Sequence, residues 1–112
     1  MLSKKRRLNH RIIREILKKG KSARAGNISL KYLVFPGQTP SFSFVVSSKT
    51  VKSAVIRNKL KRRGRAAVFS LLPSIREGRQ GLVFFGKGSE RLKFPAIKKE
   101  IVQLFQKANF FV

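Results

Sequence analysis

A chain of 112 residues with 42% hydrophobic content and ten phenylalanines can bury one modest core, so a single domain over residues 1–112 is expected rather than a disordered basic tail. Its 27 lysines and arginines face four glutamates and no aspartate, for a formal net charge of +23, and a compact body so charged repels itself unless a polyanion neutralises it. No cysteine and one histidine are present, which excludes disulfides, thiolate catalysis and cysteine-based zinc sites, and the scattered glutamates lack the pairing that an autonomous hydrolytic site needs.

No apolar run reaches the roughly 18 residues of a membrane span. The charged start leads into RIIREILKKG, not into an apolar signal core. Nucleic acid is therefore the expected polyanion, no membrane partner is expected, and the expected compartment is the cytoplasm.

Leu8, Ile12, Ile13, Ile16 and Leu17 recur at helical spacing with Arg11, Arg14, Lys18 and Lys19 on the other side. That spacing predicts an amphipathic helix over about residues 6–19, stopped by Gly20. Lys4, Lys5, Arg6 and Arg7 before it, and Lys21 and Arg24 after it, continue the basic character. ISLKYLVF at 28–35 and FSFVVSS at 42–48 have strand character and are separated by the turn residues PGQTP, which predicts an antiparallel pair. Phe42, Phe44 and Val46 fall on one face of the second strand and are assigned to the core.

Helical spacing returns from residue 53 to about 71, ending near Pro73. At about 100° per residue, Ile56, Leu60, Gly64, Ala67 and Leu71 form the stripe expected to be buried, and Arg57, Asn58, Lys61, Arg62 and Arg65 occupy the adjoining arc. Gly64 lies inside the apolar stripe, where a missing side chain lets the helix approach the sheet at a propensity cost of about 1 kcal/mol. The run LVFF at 82–85, bounded by Gly81 and Gly86, reads as a central strand covered on both faces. A last helix follows Pro95, with Ile97, Ile101, Leu104 and Phe105 inward. GKGS at 86–89 is too short for a phosphate loop and reads as a turn. His10 reads as a surface residue, and Glu100 and Lys107 as solubilising charges on the last helix.

The stretch from Lys49 to Arg65 holds eight basic residues and no acid. An arc of guanidinium and ammonium groups carried by an anchored helix fixes them for contact with RNA phosphates. The segment SSKTVKSAVIRNKLKRRGRAA also resembles the signature of the bacterial ribonuclease P protein subunit, with the match falling on Lys49, Ala54, Val55, Arg57, Asn58, Lys61, Arg62 and Arg65. Arg7-Leu8, KKGKSAR at 18–24 and GKGSERLKFPAIKKEIVQLFQKA are similar to the family's opening and close, in the same order.

The resemblance implies an α/β fold, an α+β two-layer sandwich of order αβββαβα. Its four-stranded sheet packs with helices and has a left-handed crossover through the basic helix, as in a ribosomal-protein domain. It implies that a catalytic RNA, with Mg2+, cleaves precursor tRNA at the mature 5′ end, and that this chain supplies no catalytic residue, no metal ligand and needs no obligate protein partner. Lys49, Lys52, Arg57, Asn58, Lys61, Arg62 and Arg65 would then contact the catalytic RNA and the nearby substrate. The family's leader-facing aromatics on the first helix are replaced here by Ile13 and Leu17, so that either leader affinity is weaker or leader contact passes to Tyr32 and a sheet phenylalanine beside Ile13 and Leu17. Thr50 stands where a basic residue is usual, and Gly64 and Ala66 stand for a larger apolar residue and an acid. A ribosomal protein of similar build and a nucleoid-type DNA binder are the rival classes. They share the charge, and the DNA binder lacks the signature.

Overall fold

The computed structural model describes residues 8–112. Along them run α1 (His10–Lys19), β1 (Lys21–Ala25), β2 (Ile28–Val34), β3 (Ser41–Val46), α2 (Ala54–Leu71), β4 (Arg79–Phe85) and α3 (Phe94–Lys107), with 3₁₀ turns at Leu72–Ser74 and Ser89–Arg91. This is the αβββαβα order of an α+β sandwich.

Helix α1 begins later than its apolar spacing predicts, because the Asn9 side chain accepts the Ile12 N–H at 2.9 Å and caps the helix there. Leu8 precedes the helix and is buried; Lys4 to Arg7 lie outside the described residues. Gly20 ends the helix with extended backbone, and a Cβ there would collide with the Ile16 carbonyl.

The four strands form one mixed sheet in the order β1-β2-β4-β3. Lys21–Ala25, expected only as basic chain, is its edge strand, antiparallel to β2. The predicted pairing of 28–35 with 42–48 is corrected: β2 pairs antiparallel with β4, and β3 pairs parallel with β4, so β4 separates them. The reason lies in the turn. Phe35 N–H donates to the Gly78 carbonyl at 2.7 Å and Gly78 N–H to the Gln38 carbonyl at 2.6 Å, so PGQTP carries the chain across the entry to β4 instead of folding β3 back on β2. The wholly apolar β4 takes the inner position, where both of its edges and both of its faces are covered.

On one face of the sheet α2 and α3 bury Ile28, Leu30, Phe42, Phe44, Val46, Val83 and Phe85. Ile97, Ile101, Leu104 and Phe105 of α3 point inward as their spacing predicts. Phe42, Phe105 and Phe110 stack within this layer, and Tyr32 meets Phe110 edge-on at 5.1 Å. On the other face α1 covers Leu82 through Ile16, with Leu8 beside them.

Candidate RNA interface

The loop from Ser47 to Ser53 delivers α2 from the end of β3, and it is held at several points. Val51 N–H donates to the Ser47 carbonyl at 2.9 Å, Lys49 N–H to Ser47 Oγ at 3.1 Å, and Ile56 N–H to Ser53 Oγ at 3.3 Å. Val51 is buried and plugs the loop into the core. Arg57 closes the arrangement: its Nη1 donates at 2.8 Å to both the Val51 and the Lys52 carbonyl. Arg57 therefore fixes the segment that carries Lys49 and Lys52, a role its charge alone does not reveal.

Along α2 the buried residues are Leu60, Gly64, Ala67 and Val68. Leu71 is partly buried against the same core, but Ile56, expected inside, is 37% exposed in the first turn. Val51, in the loop that enters the helix, is the residue buried in the core instead. At Gly64 an added Cβ would lie 2.8 Å from Phe44 Cδ1 and 3.0 Å from Phe85 Cζ. The ring of Phe44 thus occupies the space that a larger residue would take on the helix, and α2 lies close on the sheet.

Arg57, Lys61 and Arg65 are half-buried, and Asn58 and Arg62 are exposed. The side chains of Lys49, Lys52, Asn58, Lys61 and Arg62 make no hydrogen bond or ion pair among the described residues. By the helical period Arg57, Asn58, Lys61, Arg62 and Arg65 fall within one arc of α2, and Lys49 and Lys52 lie on the loop that leads into its first turn. Helix α2 contacts β3 on one side and α3 on the other, and Arg63, on the flank facing away from this arc, donates to the Leu92 carbonyl at 3.0 Å. The arc therefore overhangs the outer edge of β3.

Around that edge, on the α1 face of the sheet, lies a second surface. Ile13 is half-buried beside Leu82, Leu33 and Phe84, and Leu17, on the same flank of α1, is 49% exposed. Val45 pairs with Phe84 across β3 and β4 and is 39% exposed, so Ile13, Leu17, Phe84 and Val45 give this face an open apolar strip. Tyr32 is not part of it. Its neighbours in register place it on the opposite face, against Phe110. Phe84 is the aromatic that packs with Ile13 on the α1 face, which a fully apolar run conceals because no alternation marks its faces. On the other flank of α1, Arg11, Ile12 and Glu15 face Phe35, Pro36 and Gln38 across an open pocket of about 520 Å³. Glu100 and Lys107, expected as solubilising charges, tie α3 to the sheet: Glu100 Oε1 accepts the Asn27 N–H at 2.7 Å, and Lys107 Nζ donates to the Arg24 carbonyl at 2.6 Å.

The sequence model of the Ribonuclease P family matches residues 2–109. The chain belongs to the ribonuclease P protein family. A relative named ribonuclease P protein component in Picosynechococcus sp. is 30% identical over 111 residues, 98% of this chain and 96% of that protein. One of the same name in Microcystis aeruginosa is 38% identical over 68 residues, 61% of this chain and 57% of that protein. The fold matches the ribonuclease P protein of Staphylococcus aureus with a TM-score of 0.84 at 20% identity, over 96% of this chain and 98% of that one. That of Thermotoga maritima, solved with 1-(4-fluorophenyl)-2-thiourea, matches with a TM-score of 0.81 at 24% identity, over 90% and 98%. Among the described residues no helix of this ribonuclease P family member is long and apolar enough to cross a membrane.

Proposed function

We propose that this chain is the protein subunit of ribonuclease P, which binds the catalytic RNA and the 5′ leader of precursor tRNA so that the RNA removes the leader. The observation that carries it is the α2 arc: a run of basic side chains with no acid, held on a helix whose adjoining side is locked into the core and whose entry loop is clamped by Arg57. Arg62, Lys61 and Asn58, with Lys49 and Lys52 on the loop, meet RNA phosphates; Arg57 orders that loop and adds its charge, and Arg65 extends the arc.

The leader runs around the β3 edge onto the strip made by Ile13, Leu17 and Val45, with Phe84 as the aromatic. Unpaired bases stack on such a surface and contribute about 1–3 kcal/mol each on a full aromatic face. In this reading the Mg2+ that the cleavage requires is held by the RNA.

The test is reconstitution. Added to ribonuclease P RNA at limiting Mg2+, the protein restores cleavage of precursor tRNA, whereas a polycation of equal charge does not. Equal rescue by the polycation, or cleavage by homogeneous protein without RNA, overturns the proposal.

A further inference from the structure

The segment between β4 and α3, residues 86–93, is not part of the arc described above, yet it is built as rigidly. Asn27 Nδ2 donates to the Lys87 carbonyl at 2.8 Å, and Gly86 N–H donates to the Asn27 carbonyl at 2.8 Å. Gly88 has a left-handed backbone, φ 91°, that brings it against the Asn27 amide. Ser89 is fully buried, with its Oγ donating to the Asn27 carbonyl at 3.4 Å. At the far end Arg63 uses its guanidinium to hold the Leu92 carbonyl.

What these bonds leave outside is basic. Lys87, Arg91 and Lys93 are exposed, and their side chains have no hydrogen bond or ion pair among the described residues. Lys59 lies one turn before Arg63, on the same flank of α2 by the helical period. Glu90 is the one acid in the segment. Phe94 opens α3 beside Lys93 with 37% of its surface exposed. A loop ordered before binding loses little entropy on contact, and charges so held suit a phosphate backbone better than the same charges on a mobile tail.

We infer that this shoulder, Lys87, Arg91 and Lys93 with Lys59 and Phe94, is a second contact to the catalytic RNA, on the opposite flank of α2 from the signature arc. The basic groups meet phosphates, and Phe94 stacks on an unpaired base. The inference rests on the proposed function. It adds that α2 is gripped from both sides, so the RNA element at the shoulder differs from the one at the arc.

The absence of cysteine makes the test direct. Single variants Arg91→Cys, Arg62→Cys and Lys99→Cys, each carrying a tethered hydroxyl-radical source, are assembled with ribonuclease P RNA. The expected result is strong cutting from position 91 at nucleotides distinct from those cut from position 62, and weak cutting from position 99. In parallel, Arg91→Ala/Lys93→Ala flattens the salt dependence of RNA binding by a logarithmic slope of about 1.4–1.8, two contacts' worth, whereas Lys98→Ala/Lys99→Ala hardly changes it. Phe94→Leu weakens binding several-fold at unchanged slope, and an unchanged affinity overturns the stacking. If position 62 cuts and cleavage is rescued while position 91 cuts no more than position 99, the shoulder is a solvated surface and the inference fails alone. If no position cuts and no rescue occurs, the proposed function fails with it.

Discussion

Gly64 and Phe44 act as a pair. Replacing glycine by alanine within a helix ordinarily gains about 1 kcal/mol, but here the new Cβ would press on the Phe44 ring at 2.8 and 2.9 Å, and overpacking a fixed core costs about 1–3 kcal/mol. Phe44 is buried and cannot swing away, so Gly64→Ala is expected to lower stability by about 1 kcal/mol in urea unfolding. Combined with Phe44→Leu, it should cost less than the two changes summed, and that positive coupling is the measurement to make. Asn58 supplies a test without charge. It is exposed and makes no bond within the described fold, so Asn58→Ala should leave the unfolding curve in place while weakening RNA binding by about 1 kcal/mol. Arg57 behaves differently: Arg57→Ala loses both carbonyl bonds as well as a charge, and it should lower stability and RNA affinity together.

At the level of elements, α1 and α3 were legible in the sequence because their apolar residues recur with a strong period, and the α3 assignments hold at Ile97, Ile101, Leu104 and Phe105; the weaker period of α2 gave the helix but placed Ile56 inside, where it is not. The sheet was legible in part. KSARA offers β1 no apolar alternation, since an edge strand with two basic residues buries little beyond Ala25. The order of β2, β4 and β3 depends on Gly78, distant in sequence from the PGQTP turn it pins. The arc of α2 could be read from spacing, but the clamp of Arg57 and the side of the sheet on which Phe84 and Tyr32 lie could not, because each depends on contacts between elements. Glu100 shows the same limit. As a helix-surface acid it would be dispensable, but its carboxylate accepts the Asn27 N–H at the β1–β2 turn and so joins α3 to the edge of the sheet. Glu100→Ala is expected to destabilise the protein by about 1–2 kcal/mol, in the range for an unmade hydrogen bond. Glu90→Ala, which removes the same charge from an exposed site, should stay within about 0.5 kcal/mol. Denaturant midpoints compared at fixed ionic strength separate the two.

Across the whole molecule the net charge of +23 makes every RNA-binding measurement salt-sensitive, and salt dependence by itself says nothing about where RNA sits. Location follows from differences in slope between variants of equal charge. A side chain that displaces a counterion from one phosphate contributes about 0.7–0.9 to the logarithmic slope, whereas a charge facing solvent acts through the long-range field, which is screened beyond about 8–10 Å at physiological salt. Arg62 lies on the arc, exposed and with no side-chain hydrogen bond or ion pair among the described residues. Lys99 is exposed on α3 and serves as the control; Lys107 would not, because its bond to the Arg24 carbonyl mixes stability with charge. Arg62→Ala should therefore flatten the salt dependence of binding to ribonuclease P RNA by about one contact, and Lys99→Ala should leave it nearly unchanged, with both measured on one RNA over one salt range. Equal changes would mean that the RNA responds to the total charge of the body and that the held geometry of α2 confers no site.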